Sequence, residues 1–191
     1  MVTPAAIQIQ TAVGAACMRK IIFFLIGIAV AGCRPETHRA MIDVEDDISV
    51  ALIIRPLFSL QSDWHRKLSI ETPAGSLESE LTEDTGWWRG SNLYRHSSGV
   101  YVLHEGQAGC ILFIVSPPRL VSDPAISCDK ADQTLGGDAG QGGNSSQGFP
   151  ASRFYTDFQY IGRFVETPEE QKAIGFVGAD KQLEVELPDI L

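Results

Sequence analysis

Basic residues are scarce in this chain of 191 residues: 15 Lys and Arg stand against 24 Asp and Glu, a formal charge of -9 with a pI near 4.8. A surface of that sign repels a phosphate backbone, so no nucleic-acid partner is expected. Four cysteines are too few for a disulfide-dense miniature fold. A mean hydropathy of +0.01 is too low for a multi-span membrane protein. The length allows one domain of ordinary size or two small ones, which excludes a repeat array or a large enzyme.

Catalytic and metal motifs are missing as well. The histidines are His38, His65, His96 and His104, and none falls in HExxH or in a His-rich tract. There is no GxSxG, and Ser145-Ser146 lack the strand-to-helix context of a nucleophile elbow. No Lys-Ser or Lys-Thr follows the neighbouring glycines, as a phosphate-cradling loop requires. Asp129, Asp132 and Asp138 are spaced unlike an EF-hand loop. The sequence therefore predicts no catalytic residue, no cofactor and no metal site. An enzyme, a hydrolase in kind, would have to assemble its site in the folded state from His65, His104, Asp84 or Glu105.

What the sequence does contain is a targeting segment. In Met18–Cys33, MRKIIFFLIGIAVAGC, Arg19 and Lys20 precede 12 uncharged residues from Ile21 to Gly32. A basic start, a short apolar run and a small-residue exit are the layout of a secretory signal, with the basic pair retained on the cytoplasmic side. A spanning helix needs roughly 20 residues, so this run is too short for a permanent anchor. Residues 1 to 17 carry no basic residue, whereas Met18 opens a basic start at once, so translation is expected to begin there. The alternative, an unusually long leader, would yield the same processed protein.

Val30-Ala31-Gly32-Cys33 resembles the lipobox of bacterial lipoproteins, in which an aliphatic residue and two small ones precede the cysteine. Val30 stands where Leu is usual. The resemblance covers 16 residues and implies that residues 1–32 are removed, that the Cys33 thiol carries diacylglycerol, and that the new amine is acylated. Arg34, in place of Asp, is similar to the outer-membrane sorting pattern. The implied location is the cell envelope, lipid-anchored in the outer membrane and facing the periplasm.

Processing changes the arithmetic. It removes Arg19 and Lys20 and no acid, leaving 13 basic against 24 acidic residues and a formal -11. Beside a negative membrane surface, such a domain is expected to stand off on its tether. Cys17 leaves with the leader and Cys33 takes the lipid, so Cys110 and Cys128 remain. In an oxidising compartment two leftover cysteines, with no CxxC and no His at ligand spacing, predict one disulfide.

Residues 33–40 read as a lipidated tether and 41–191 as a single folded domain. Strands are predicted at Ile48–Ile54, Leu68–Glu71, Leu77–Leu81, Asn92–Arg95, Gly99–Glu105, Cys110–Val115, Arg153–Val165, Ala173–Val177 and Gln182–Leu187, from β-branched content and alternation. His96-Ser97-Ser98 is a hairpin turn, making NLYR and VYVLHE antiparallel neighbours. CILFIV is apolar on both faces, which predicts a central strand ended by Pro117-Pro118. In Arg153–Val165, Phe154, Phe158, Tyr160 and Phe164 share one face, and Asp157, Gln159 and Arg163 the other. Leu183, Val185 and Leu187 are expected inward, with Glu184 and Glu186 outward. Thr167-Pro168-Glu169-Glu170 carries the signals of a helix start, cut short by Gly175. Gln133–Pro150, with six glycines, is a flexible loop. Roughly nine short strands and little helix predict a mainly β domain, one antiparallel sandwich or barrel behind a lipoprotein signal.

The most distinctive local feature is Asp84-Thr85-Gly86-Trp87-Trp88-Arg89-Gly90. Adjacent tryptophans in extended chain point to opposite faces, so one can be core while the other meets a partner. The alternative is that both are core or turn-packing aromatics; as a surface they would be Trp87, Trp88 and Arg89 with Tyr94 and Tyr101 on the adjacent hairpin. The expected function is a noncatalytic binding module in the envelope, anchored to the membrane through its lipid and contacting an envelope protein. A protective lipoprotein that neutralises a toxin or hydrolase is one version of it, and a periplasmic hydrolase is the rival.

Overall fold

In the computed structural model the described residues are 36–56, 64–82, 88–126, 128, 148–167 and 174–188. The signal segment, Cys33, Asp84, Trp87, most of the glycine-rich loop and the expected helix after Thr167 lie outside them. Glu36–Leu191 is a compact unit with its own core. Among the described residues it has ten strands: β1 (His38–Glu45), β2 (Ile48–Pro56), β3 (Trp64–Thr72), β4 (Gly75–Glu80), β5 (Ser91–His96), β6 (Tyr101–His104), β7 (Cys110–Val115), β8 (Pro118–Val121), β9 (Phe158–Glu166) and β10 (Ile174–Gly178). They form a four-stranded sheet in the order β1-β2-β3-β4 and a six-stranded sheet in the order β10-β9-β5-β6-β7-β8. Every pairing is antiparallel. The expected mainly β fold is thus a sandwich of two sheets.

Side-chain alternation explains the first core. In β2, Val50, Leu52 and Ile54 point between the sheets, and in β3 Leu68 and Ile70 do the same. The six-stranded sheet answers with Leu93, Tyr101, Leu103, Phe113, Ile161 and Phe164. A second apolar cluster lies on the far face of that sheet, where Tyr94, Val102, Phe158 and Tyr160 are covered by Ile126, Cys128 and Tyr155. Burying both faces of one sheet in a domain of this size requires loops to act as a layer, and Ile126, Cys128, Phe154, Tyr155 and Ala179 from the loop segments do so.

One irregularity decides the faces of β9. Leu93 pairs with Gly162 but Tyr94 pairs with Tyr160, so Ile161 is an extra residue, a β-bulge. The insertion reverses parity downstream. Phe158 and Tyr160 join the outer cluster, whereas Ile161 and Phe164 enter the core between the sheets. The expected common face for Phe158, Tyr160 and Phe164 is therefore corrected, because a one-residue shift moves every later side chain to the other side. Gly162 is required there: a Cβ would lie 2.4 Å from the Val177 carbonyl oxygen of β10.

Several boundaries also move. Folded structure starts at His38 rather than after Ala40, since Ala40 and Val44 are core residues and the ladder with β2 includes His38 and Arg39. β7 is not central; it lies beside the edge strand β8, and its residues are mostly half-buried. Pro118 begins β8 instead of ending all pairing, because the first position of an edge strand tolerates a missing N–H. Chain 153–157 turns before β9 begins at Phe158. Gln182–Leu187 is not a strand: Leu183 is 73% exposed, while Glu184 and Leu187 are buried. The hairpin at His96 forms as expected, with His96 N–H donating to the Val100 carbonyl at 2.8 Å.

Cys110 and Cys128 form a disulfide across a sequence separation of 18. It joins β7 to the segment that covers the outer face of the sheet. Cys110→Ala with Cys128→Ala is expected to lower unfolding free energy by about 3 kcal/mol on the chain-entropy argument, read from the urea midpoint.

Candidate functional site

Of the aromatic surface expected around the tandem tryptophans, only part can be placed. Arg89 is exposed, while Trp88 is half-buried and packs on the core between the sheets. Trp88 Nε1–H donates to Ser91 Oγ at 2.9 Å, and the Arg66 guanidinium sits 5.8 Å from the centre of its ring. Tyr94 and Tyr101 do not belong to a shared surface: both are essentially buried. Tyr94 pairs with Val102 and Arg95 with Tyr101, so the two rings lie on opposite faces of the sheet. Tyr101 stacks on Phe113 between the sheets and donates its hydroxyl to Glu45 at 2.7 Å. Tyr94 packs edge-on against Tyr155 and Phe158 in the outer cluster.

Of the residues from which an enzyme site would be built, the three described, His65, His104 and Glu105, are likewise separated. His65 follows Trp64 and precedes Arg66, both core-facing, so it sits on the outer side of the four-stranded sheet. His104 and Glu105 are neighbours in sequence and face opposite ways. His104 is buried in the outer layer, its Nε2 3.3 Å from the Tyr155 hydroxyl and its Nδ1 accepting the Gly106 N–H. Glu105 turns inward and accepts from Arg66. His96 lies in its turn beside the Ser98 hydroxyl at 2.8 Å. Among the described residues no group of three His, Cys, Asp or Glu side chains is arranged to hold a metal ion.

Two buried polar networks emerge instead. The first spans the sandwich. Arg66 of β3 pairs with Glu105 just beyond β6 and donates through Nη2 to the Thr82 carbonyl at 2.8 Å. Ser91 Oγ, at 3.5 Å from Glu105 Oε1, passes the network on to Trp88. Both charged side chains are 2% exposed or less, and a pair so deep persists only where hydrogen bonds support it. Trp88 closes this network, and its indole is committed to the interior.

The second network lies on the outer face of β5 and β9, under the C-terminal segment. Asn92 Nδ2 donates to the Tyr94 hydroxyl at 2.9 Å and to the Val185 carbonyl at 2.8 Å. Glu184 accepts from Ser152 Oγ at 2.7 Å and from the Arg153 N–H. Arg163 is buried and donates to the Arg89 carbonyl, so the exposed loop at Arg89 is tied to this face. Burial pushes the Tyr94 hydroxyl well above the usual tyrosine range, with the Glu184 charge adding to it. Burial also raises Tyr160, to about 12, against the opposing Arg163 charge. The sequence pattern missed this network because Asn92 reads as an ordinary strand residue and Glu184 as the solvent side of an alternating segment.

Two outcomes follow from these networks. Arg66→Met alone leaves Glu105 buried without its partner and is expected to cost about 3–5 kcal/mol, while Arg66→Met with Glu105→Leu recovers most of the loss; denaturant midpoints of the three proteins check this. At high pH the unfolded chain releases tyrosine protons near 10.0 while Tyr160 holds its own to about 12. The unfolded state then binds fewer protons, so stability falls as pH rises through that window. Tyr160→Phe should make the decline shallower in unfolding experiments across it.

No protein-family model, curated protein or solved structure matches the chain.

Proposed function

We propose that this protein is a lipid-anchored lipoprotein of the bacterial envelope, attached through Cys33 and facing the periplasm, whose β sandwich is a noncatalytic binding module. The observation that carries the reading is Arg19-Lys20, the apolar run and Val30-Ala31-Gly32-Cys33 in succession. The Cys110–Cys128 disulfide supports it, because such bonds persist in oxidising compartments. Only residues 34–37 separate Cys33 from the first strand. Even fully extended, a linker of that size reaches about 18 Å, which keeps the sandwich at the membrane surface.

The noncatalytic part of the reading is supported by the separation of His65, His104 and Glu105 onto the outer sheet face, the loop-covered layer and the core. Arg34 after the anchored cysteine favours the outer membrane as the site of attachment.

Metabolic labelling with palmitate tests the anchor. The wild-type protein is expected to take up label and to sediment with outer membranes, and Cys33→Ala to lose both properties. A wild-type protein that stays unlabelled would overturn the proposal.

A further inference from the structure

Among the described residues, the basic side chains on the outer face of the four-stranded sheet all lie at one end of it. Register places Arg55 opposite His65, with Arg39, Ile53, Lys67 and Glu80 in the row beside them. The rows that follow are Met41, Ala51, Ser69 and Glu78, then Asp43, Ser49, Glu71 and Ser76, and the β1–β2 turn carries Asp46 and Asp47. The first two rows therefore hold Arg39, Arg55 and Lys67 against one acid, Glu80. Beyond them the face holds acids and no cation.

These cations keep their charged ends in water. Arg55 is exposed and takes part in none of the ion pairs among the described residues. Arg39 meets Glu71 at 2.6 Å, and Lys67 meets Glu78 at 3.1 Å and Glu80 at 3.2 Å. Pairs so open to solvent are weak, and a phosphate oxygen can take the place of the carboxylate. Ile53 lies half-buried between the cations, and Met41, the next outward residue of β1, is 53% exposed. The chain enters the fold at this same end: His38 opens β1 opposite Ile54. Residues 34–37 alone separate it from Cys33, adding Arg34 and Glu36.

We propose that this corner of the sandwich, Arg39, Ile53, Arg55 and Lys67 with Met41 beside them, docks on anionic phospholipid head groups, with the β1–β2 turn directed away from the membrane. The proposal rests on attachment at Cys33 for the nearness of the membrane. The negative charge of the whole chain, which would hold the domain off, does not decide the matter, because screening confines each interaction to about 8 Å at physiological salt. Asp46 lies seven residues beyond Arg39, about 23 Å at the rise of a strand. With the basic corner in contact, the acidic turn is beyond reach of the surface potential, while each cation at the surface is attracted. The opposite orientation would set Asp43, Asp46 and Asp47 against like charge.

Residues 34–191 contain the whole compact unit. With a histidine tag before Arg34 they can be held on phosphatidylcholine vesicles by a nickel-chelating lipid, so the test does not require lipidation of Cys33. Acetylation of Lys67 by a succinimidyl ester is read by mass spectrometry against the exposed Lys181 of the C-terminal segment. Adding phosphatidylglycerol to the vesicles is expected to lower Lys67 labelling about fivefold, and high salt to restore it. Arg55→Glu is expected to abolish the protection, whereas Arg119→Glu, the same charge change on the edge strand β8, leaves it in place. Equal labelling of Lys67 on the two vesicles, protection that survives Arg55→Glu, or protection lost equally with Arg119→Glu would each overturn the proposal. Palmitate uptake reads the anchor and Lys67 protection reads the face, so either can fail without the other.

Discussion

At Ile161 the ninth strand holds one residue more than the strand opposite it, and the sandwich depends on that insertion. Upstream of it Phe158 and Tyr160 face the outer layer; downstream Phe164 faces the core between the sheets. A single strand thereby supplies both apolar clusters. Gly162 accommodates the close approach of the Val177 carbonyl, which lets β10 pair beside the bulge. The same change of parity sets Arg163 on the outer face beside Asn92, where a regular strand would put it on the inner side with the other odd-numbered residues.

With both faces of the six-stranded sheet apolar, loops must complete the structure. The disulfide ties the segment ending at Cys128 to β7. Glu184 ties the C-terminal segment to the turn at Ser152 and Arg153, and Asn92 ties Val185 to β5. These attachments bury polar groups, so the outer layer contains ionisable and hydroxyl side chains beside its apolar ones. The difference between the two buried arginines follows from it. Arg66 meets a carboxylate inside the sandwich, whereas Arg163 meets the Arg89 backbone carbonyl.

Period-two alternation and β-branched content made most strands legible, and β7 was found with its observed limits, Cys110–Val115. The pairing of β5 with β6 followed from a short polar turn. What failed was local in origin. His38 and Arg39 looked like tether because their strand character comes from pairing with β2. Pro118 looked like a terminator because an edge position is invisible in sequence. The QLEVEL segment looked like a strand, but Glu184 is held inward by hydrogen bonds from a turn some thirty residues away. The tandem tryptophans drew attention for their composition, yet the partner of Trp88 is Ser91 and an ion pair from two other elements.

By itself the sequence determined the class of fold, and it supplied the expectation of a Cys110–Cys128 disulfide and the lipobox-like run on which the anchoring proposal rests, because each is written in residue types along the chain. The tertiary structure alone decided which side chains meet. A bulge of one residue, a strand at the sheet edge and a carboxylate drawn under a loop depend on pairing between distant segments, and no local pattern encodes them. The juxtaposition of Arg39, Ile53, Arg55 and Lys67 belongs to that second kind: ordinary residues of three strands brought to one corner by register.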